Sequence, residues 1–585
     1  MTALGDISLG FRNAYLDHER LTAQLRAWAE AYPAVCRLTS IARTPEGRDV
    51  WLLAIGPEPE RLRPAVWVGG NIHASELAGS SVALTIAEDV LRLHVDAGPA
   101  AGAGAGISTA AGATGLPAPL IARLRDVVFY VVPRISPDGA EHVLRVGRSV
   151  RSVPRDYRIA RGQPRWIPGD IDGDGQARSM RVQDPGGELV EAPEFPGLLV
   201  ERTLEDEGPF YKLYPEGLIE HFDGKRVPSP FYLGDNPIDL NRNFPWEWAP
   251  HHEQPGAGPF ATSEPEVRGI VEFATAHPEI FAWLDLHTFG GVAIRPLGHG
   301  PDEKLDQEDL AVFRQLEAWM DEYTGYPTVS GYDEFLYEPD KPLHGDLSDY
   351  AYNQRGALAY TIELWDLFKR LGMPRPPKFI QYYDRVSRAD VVKLAWWDRD
   401  ENDGRIFPPW RTFEHPQLGP VEIGGIDPRV GIWNPPLHEL AALCASQSHA
   451  FLHVASLAPR LRIGDIRRQP LPGGLTRVEV AIQNDGYLGS YGMPSSRRLD
   501  FNEPVYATAR ADSCTLVDAG AAHQILGHLD GWGRGLHTGA NLPSYPGTRG
   551  TTNTAWASYL VHGTGALEIR IGSCRAGFVT TRVAV

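Results

Sequence analysis

The sequence predicts an α/β fold with a mixed sheet covered by helices on both faces, followed by a smaller β-sandwich. Two observations predict the first part: short apolar runs bounded by glycine and proline, and helical patterns that alternate with them. A third observation predicts the second part, because after about residue 460 short β-type runs follow one another without a helical period. We therefore divide the chain into residues 1–460 and 461–585.

The elements of the first domain follow in chain order. Tyr15, Leu21, Leu25 and Trp28 fall close to helical spacing and predict an opening amphipathic helix that ends before Pro33. Further helical patterns occupy residues 77–93, 264–276, 305–323 and 437–457. Apolar runs predict buried strands at residues 50–55, 65–68, 127–132, 280–286 and 357–364.

Two segments lack a clear period. Residues 97–116 are nearly all Gly, Ala, Ser and Thr, which offer little surface to bury, so we expect a mobile surface loop. Residues 151–237 are rich in proline, glycine and charge and are too long for an ordinary connection. We expect an elaborated insertion near the functional face. In the second domain, short runs at residues 476–483, 555–561, 566–571 and 576–583 predict strands.

Composition excludes several classes of protein. The 585 residues include 56 Lys+Arg and 74 Asp+Glu, a net charge of −18, and no long basic block, so nucleic acid is not an expected partner. Four scattered cysteines form neither a disulfide framework nor a Cys-x-x-Cys pair. The first residues lack a secretory pattern and no stretch of 18 apolar residues occurs, so we expect a cytoplasmic protein without membrane contact.

A His-x-x-Glu pair is the first candidate for chemistry. His73 and Glu76 directly follow a buried-strand pattern and the Gly69-Gly70 turn, where open α/β sheets place ligand sites. His287 ends another strand pattern in a similar position, so the three residues could bind a catalytic zinc and leave one position open. The alternative is that the histidines only cap a helix or fill the core.

Three further segments carry candidate residues. Asn241 and Arg242, in the segment DLNRNF, could together hold a substrate carboxylate, because the guanidinium pairs with a carboxylate in bidentate fashion. Glu363 interrupts the apolar run ALAYTIELW, and a lone carboxylate in a buried strand is often functional, here as a general base. Tyrosines between residues 337 and 356 could donate to a substrate amide. Structural roles are the alternative in each case.

Taken together, these segments resemble the zinc carboxypeptidase family, the funnelin-type metallocarboxypeptidases. The resemblance rests on the order HASE, PRISPDG, DLNRNF, SEPE, LDLHTFGG, SDYAYNQRG and TIELW. It implies an α/β/α sandwich around a mixed, largely parallel eight-stranded sheet. It also implies one zinc ion held by His73, Glu76 and His287, and Glu363 as the general base and proton shuttle.

The resemblance extends to the residues that bind substrate. Asn241 and Arg242 match the pair that binds the C-terminal carboxylate. Arg151, thirteen residues after Asp138, matches the arginine that polarises the scissile carbonyl, with Arg148 and Arg181 as alternatives. Tyr337, with Tyr332 as the alternative, matches the mobile tyrosine that covers the substrate.

Two departures limit what the resemblance implies. Ser75 stands between the metal ligands, where digestive members commonly have an arginine, and Ser348 occupies a specificity position without a bulky wall or a charge. Side-chain preference is therefore not predicted.

The segment 170–175 has the opening of a calcium loop, with Asp170, Asp172 and Asp174 as candidate ligands, but Arg181 at the twelfth position excludes an EF-hand. Asx-turns are the alternative to calcium.

The function predicted is zinc-dependent hydrolysis of a peptide or small amide next to a free carboxylate. Three alternatives stay open at this point: an amidohydrolase of the related deacylase group, a peptidase acting on cell-wall muropeptides, and a non-catalytic binding module that recruits a partner through its β-domain. The oligomeric state is not predicted.

Overall fold

The computed structural model describes residues 4–58, 62–95, 115–147, 150–155, 162–230, 238–338, 341–536 and 548–585. Most of the segment 97–116, for which a mobile loop is expected, lies outside the described residues. The described strands are β1 Cys36–Arg43, β2 Asp49–Ile55, β3 Ala65–Gly70, β4 Val128–Val132, β5 Arg165–Pro168, β6 Ser179–Gln183, β7 Leu189–Glu191, β8 Leu199–Glu201, β9 Phe210–Pro215, β10 Gly217–Glu220, β11 Ile280–Thr288, β12 Val292–Arg295, β13 Thr328–Ser330, β14 Leu358–Leu364, β15 Arg411–His415, β16 Gly419–Gly424, β17 Leu461–Leu471, β18 Leu475–Asn484, β19 Val505–Asp512, β20 Thr515–Leu516, β21 His523–Gly527, β22 Thr554–His562, β23 Ala566–Ser573 and β24 Gly577–Ala584.

Most of the described α-helices lie in the first domain, and one short helix of the described residues lies in the second. They are His18–Ala31, Ala78–Val95, Ala118–Leu124, Pro137–Val146, Pro265–Ala276, Gln307–Thr324, Leu347–Asp349, Leu367–Arg370, Gln381–Asp384, Arg388–Glu401, Leu437–Ala455 and Gly533–Leu536. None of the described helices is both long and apolar enough to cross a membrane. The cytoplasmic location stays a prediction.

The centre of the first domain is an eight-stranded sheet in the order β1-β2-β4-β3-β11-β14-β12-β13. Its four middle strands, β4, β3, β11 and β14, run parallel, while β1, β2 and β12 join antiparallel. The mixed, largely parallel sheet is therefore confirmed. Because β3 and β11 are buried along their whole length, their sequences are continuous apolar runs with little alternation.

Helices cover both faces of this sheet. Phe129 and Tyr130 are neighbours on β4, so their side chains point to opposite faces. The Phe129 ring packs against Phe451 of the helix Leu437–Ala455, and the Tyr130 ring packs against Phe273 of the helix Pro265–Ala276. The three-layer α/β/α arrangement follows from these two contacts.

The described part of the segment 151–237 contains strands that its sequence did not predict. Strands β6 to β9 lie in a six-stranded sheet of order β15-β16-β6-β9-β7-β8, and β5 pairs with β10. Two strands of the larger sheet, β15 and β16, come from beyond β14, so the sheet joins distant parts of the chain. Their short, half-exposed runs give no strong period, which is why sequence patterns did not indicate them.

The second domain is a sandwich of two four-stranded sheets, β17-β18-β22-β20 and β21-β19-β23-β24. Their facing sides share one apolar core that includes Val480, Tyr559 and Ile569. The helix Leu437–Ala455 ends just before β17 begins at Leu461. The predicted β-sandwich is thus confirmed.

The two domains are packed together closely. Tyr487, Leu488 and Met493 of the second domain belong to the apolar core of the first. Arg575, buried to 2% exposure, donates to the carbonyl oxygens of Gly356 (2.8 Å) and Arg355 (2.7 Å), directly before β14. The second domain therefore supports the strand that carries Glu363.

Candidate active site

The predicted site residues meet at the carboxyl ends of the parallel strands. His73 lies three residues after β3, and His287 and Glu363 are the penultimate residues of β11 and β14. Since β11 lies between β3 and β14, and His287 is in register with Glu363, the sheet places the three side chains next to one another. This is the edge where open α/β sheets bind ligands.

The loop after β3 is held in shape by Asn71. Its backbone has a φ of 58°, a conformation that asparagine tolerates better than most residues, and its side-chain amide donates to the carbonyls of His73 (2.7 Å) and Ala74 (3.1 Å). From the other side, Asn434 donates to Ser75 O and accepts from Ala78 N. These bonds fix the direction in which the His73 and Glu76 side chains point.

His73, Glu76 and His287 bring their ligand atoms to a common point. The His73 Nδ1 atom lies 2.8 Å from Glu76 Oε1, and His287 Nδ1 lies 3.1 Å from both Glu76 Oε2 and His73 Nδ1. All three side chains are buried. Burial alone would raise the pKa of the Glu76 carboxyl, but the two neighbouring imidazoles outweigh it and hold that pKa at about 2.

Each imidazole is oriented by a second carboxylate. His73 Nε2 lies 3.1 Å from Asp239 Oδ1, and His287 Nε2 lies 2.8 Å from Asp285 Oδ2. A carboxylate only accepts, so each Nε2 atom donates to its carboxylate and each Nδ1 atom faces Glu76. Two imidazole nitrogens and a carboxylate that converge on one point can share a cation. The donor set thus fits Zn²⁺, with the outer carboxylates that metal-binding histidines usually have.

Asp239 and Asp285 were not among the residues singled out from sequence. The sequence could have indicated them, because each lies two residues before a predicted functional residue: Asp239 before Asn241, and Asp285 before His287. Burial opposes ionisation of Asp239, but Arg151 and His73 lower the pKa of its carboxyl well below the ordinary range. It is therefore charged and able to accept from both neighbours.

Glu363 lies next to the three ligand residues with a carboxyl oxygen that has no partner. Its Oε2 atom is buried and makes no hydrogen bond within the described residues. Burial, together with the charges of Glu76 and Asp285, raises the pKa of Glu363 to about 8, against the opposing effect of His287 and Arg151. A carboxylate that holds a proton easily is suited to proton transfer.

Of the two candidate arginines that the structure describes, Arg151 lies at the site. Its Nε donates to Asp239 Oδ2 (3.1 Å), and its Nη1 lies 3.7 Å from Glu76 Oε1. Arg181 pairs instead with Glu422 and Glu191, each at 2.7 Å, in the six-stranded sheet. Arg148 lies outside the described residues.

Asn241 and Arg242 form a short 3₁₀ turn at the wall of the same cavity. The Asn241 Oδ1 atom accepts from Leu347 N (2.8 Å), which leaves its amide nitrogen available to a ligand. Arg242 is 8% exposed and its Nη1 atom donates to the carbonyl oxygen of Asn241 (2.6 Å), but it takes part in no ion pair among the described residues. A buried guanidinium without a carboxylate partner is suited to an anionic ligand.

The cavity encloses about 540 Å³ of empty space, part of it open to solvent. Seven of the eight residues predicted from sequence line it, and the eighth, Glu76, contacts the lining residues His73 and His287. Tyr337 is 50% exposed at the mouth of the cavity, and Tyr332 is not among the lining residues. The geometry thus favours Tyr337 over Tyr332.

Gly139 lies where two segments that carry site residues pack closely against the start of a helix. A Cβ atom built on Gly139, in the first turn of the helix Pro137–Val146, would lie 2.0 Å from Ser152 O and 2.6 Å from Ala74 Cβ. Ala74 N donates to Arg151 O (2.7 Å), and Leu240 N donates to Ser152 Oγ (3.2 Å). The motif SPDG therefore requires glycine because two site segments approach the helix backbone.

The acidic loop 170–175 lies apart from this cavity. Asp170 accepts from Gly173 N (2.7 Å) and Gly175 N (2.8 Å), and Asp174 pairs with Arg178 and Arg411. The three carboxylates could also approach one ion together. Turn formation and ion pairing account for these contacts, and calcium binding here stays a prediction.

A sequence profile described as zinc carboxypeptidase matches residues 21–164 and 234–389, about half of the chain. A profile described as a domain of unknown function (DUF8731) matches residues 460–584. The first match skips part of the segment 151–237, and the second coincides with the β-sandwich.

Several curated proteins are similar to this chain. Carboxypeptidase B2 of Rattus norvegicus is 28% identical over 174 residues, 27% of this chain and 39% of that protein. Carboxypeptidase A4 of Mus musculus is 22% identical over 369 residues, 62% of this chain and 64% of that protein. The chain thus spans less than two thirds of the length of these relatives.

Solved structures are similar at lower identity. The crystal structure of carboxypeptidase A from Helicoverpa armigera is 18% identical, covers 62% of this chain and 68% of its own, and has a TM-score of 0.39. A metallo-carboxypeptidase from Burkholderia cenocepacia is 16% identical, covers 75% and 70%, and has a TM-score of 0.34. Scores of this size do not establish a shared fold by themselves.

Proposed function

The chain belongs to the zinc carboxypeptidase family, and from this premise we propose that it hydrolyses the peptide or amide bond next to a free C-terminal carboxylate. The observation that carries the proposal is a single cavity that contains a cation-binding donor set, an unpartnered carboxyl oxygen and an unpaired guanidinium. These three features are the parts that such a hydrolysis needs.

His73, Glu76 and His287 hold the metal in this proposal. A bound zinc ion supplies Lewis-acid activation of water and of the scissile carbonyl. Asp239 and Asp285 keep the two imidazoles in the tautomer whose Nδ1 atoms bind a cation, since each accepts from an Nε2–H.

Asn241 and Arg242 bind the carboxylate of the substrate. The fork of Arg242 pairs with both carboxylate oxygens, and the free amide nitrogen of Asn241 adds a neutral donor. A substrate with a blocked carboxyl group would leave the buried guanidinium unpaired, which costs roughly 1–3 kcal/mol or more. The enzyme is therefore an exopeptidase.

Glu363 moves the proton. Its carboxylate takes a proton from the attacking water and passes it to the nitrogen of the leaving amine. Arg151, next to the metal ligands, donates to the oxygen on which negative charge develops, an interaction usually worth a few kcal/mol. Tyr337 covers the substrate at the mouth of the cavity, as the family resemblance implies.

The proposal is tested with the zinc-loaded protein and N-blocked dipeptides that have either a free or an amidated C-terminus. We expect one bound zinc per chain and release of amino acid only from the free-carboxylate peptides. Glu363→Gln should lower turnover by roughly 100-fold or more while zinc stays bound. Glu568→Gln, which removes a half-exposed carboxylate of the β-domain, is the matched control and should leave turnover unchanged.

Equal cleavage of the amidated peptides would contradict the role of Asn241 and Arg242 and favour a deacylase. Zinc binding without cleavage of either kind of peptide would favour a non-catalytic role.

A further inference from the structure

A turn at residues 428–434 contacts the ends of the three strands that lead into the proposed site. It lies between β16 and the helix Leu437–Ala455, in a stretch that neither of the two matching profiles covers. Its contacts are with residues that directly follow β3, β11 and β14, which are neighbours in the central sheet. One short segment thus contacts every part of the chain that supplies a proposed metal ligand or the proposed base.

Asn434 binds the loop that follows β3. Its side chain is fully buried, and its Nδ2 atom donates to Ser75 O (2.7 Å) and to Arg429 O (2.8 Å). Its Oδ1 atom accepts from Ala78 N (2.8 Å). Ser75 and Ala78 lie on either side of Glu76, so one amide holds the backbone before and after this ligand. Removing the amide leaves buried backbone groups without partners, which favours a shift of the loop.

Gly431 binds the end of β14. Its carbonyl oxygen accepts from Trp365 Nε1 (2.9 Å), and Trp365 lies two residues after Glu363. Trp365 has a φ of 67°, a conformation that a bulky residue adopts only where its surroundings hold it. The second bond that holds it is from Trp365 N to Tyr326 Oη (3.0 Å). The direction of the chain just after Glu363 therefore depends in part on the turn.

Trp433 packs against the residues that follow β11. Its ring meets Phe289 edge to face, with 5.6 Å between the ring centroids. Phe289 lies two residues after His287, so this contact supports the third strand end.

The turn is itself held in one shape. Gly431 N donates to Asn434 O (2.7 Å), and Trp433 N donates to Pro428 O (2.9 Å). Gly431 has a φ of 112°, and a Cβ atom built on it would lie 2.5 Å from Asn402 Nδ2. A segment that is closed by its own bonds and packed this tightly can fix the positions of the groups that it contacts.

We propose that the turn 428–434 positions the active site, with Asn434 as a positioning residue for the metal-ligand loop and Trp365 as a positioning residue for Glu363. This inference rests on the proposed function and adds to it residues that contact neither metal nor substrate. Asn434 keeps Glu76 and His73 arranged before a cation binds, so it raises the affinity of the site.

The first experiment measures zinc affinity of the full chain by competition with a chromophoric chelator, and the visible absorption of the cobalt-loaded protein. Asn434→Ala should raise the zinc Kd by about 10-fold or more, the usual effect of removing a group that orients metal ligands. The cobalt absorption bands should shift, because they report the geometry of the ligands. Asn434→Ser, which keeps one polar group, should have a smaller effect of the same kind.

Asn502→Ala is the matched control. Asn502 is 5% exposed in the second domain and donates to Tyr491 O (2.9 Å) and Ser496 O (3.1 Å), as Asn434 donates to two carbonyls. This variant should unfold at a lower urea concentration than the wild type, yet keep the wild-type zinc Kd and cobalt bands. The control separates loss of stability from loss of position.

The second experiment replaces Trp365 with phenylalanine, which keeps an aromatic ring but removes the bond to Gly431. We expect the zinc Kd and the KM for a free-carboxylate dipeptide to stay within about 3-fold of the wild type, while kcat falls by about 10-fold or more because Glu363 is displaced. An unchanged kcat would overturn the role of Trp365.

If Asn434→Ala folds and keeps the wild-type zinc Kd and cobalt bands, the role of Asn434 is overturned and the proposed function stays intact. If Asn434→Ala does not fold, the same result with Asn434→Ser overturns that role. A wild-type protein that binds no zinc would overturn the proposed function and this inference with it.

Discussion

Replacing Gly139 with alanine should damage the site from outside the cavity. The new methyl carbon would lie 2.0 Å from Ser152 O and 2.6 Å from Ala74 Cβ, whereas unstrained contacts of these atoms are above about 3.2 Å. One of the segments must therefore move by roughly 1 Å. Both segments carry site residues, because Ser152 follows Arg151 and Ala74 follows His73.

The magnitude has two parts. Overpacking of this kind costs about 1–3 kcal/mol, from which the better helix propensity of alanine recovers up to about 1 kcal/mol. We expect a net loss of about 1–2 kcal/mol in the free energy of unfolding. A displacement of about 1 Å in a catalytic group lowers turnover by roughly 100-fold, so the effect on kcat should be larger than the effect on stability.

The assay is urea unfolding together with kcat on a free-carboxylate dipeptide. Gly169→Ala is the control, since its Cβ would meet no atom within 4 Å. If Gly139→Ala unfolded at the same urea concentration as the wild type and kept its turnover, the close approach of the three segments would not be what requires glycine.

Three other predictions follow from the structure. Removing zinc with a chelator should lower the unfolding temperature, because a cation present at 100 times its Kd contributes about 3 kcal/mol; unchanged unfolding would argue against the metal site. Burial lowers the pKa of both His18 and His94 to about 4, so the unfolded chain binds more protons between about pH 6.5 and 4; each histidine should cost up to about 3 kcal/mol of stability as the pH falls through that range, and His94→Gln should flatten the slope in urea titrations. A chain without residues 461–585 should fold poorly, because Tyr487 and Leu488 complete the first core; a cooperative unfolding transition at the wild-type temperature would contradict this.

The sequence predicted the central strands and helices because their patterns are strong. β3, β4, β11 and β14 are buried on both faces and read as continuous apolar runs. By contrast, β1 and the strands of the insertion are half exposed and rich in charge, so periodicity did not indicate them. Their strand structure depends on partners far away in the chain.

For the site, order along the chain indicated the metal-ligand candidates and Glu363, and the structure brings them together. The free Oε2 atom of Glu363 could not be predicted in this way, because the lack of a hydrogen-bond partner within the described residues is not visible in a sequence. The choice of Arg151 over Arg181 likewise required the ion pairs of both residues.

The six-stranded sheet can be completed only late in synthesis, because its strands are far apart in the sequence. Arg181 on β6 pairs with Glu422 on β16, 241 residues later in the chain. At about 5–20 residues per second, a ribosome needs roughly 10–50 s to synthesise that interval. During this time one edge of β6 has no neighbouring strand and can pair with other chains. Slower synthesis lengthens this exposure, so the yield of folded protein should depend on translation speed and on chaperones that cover the open edge.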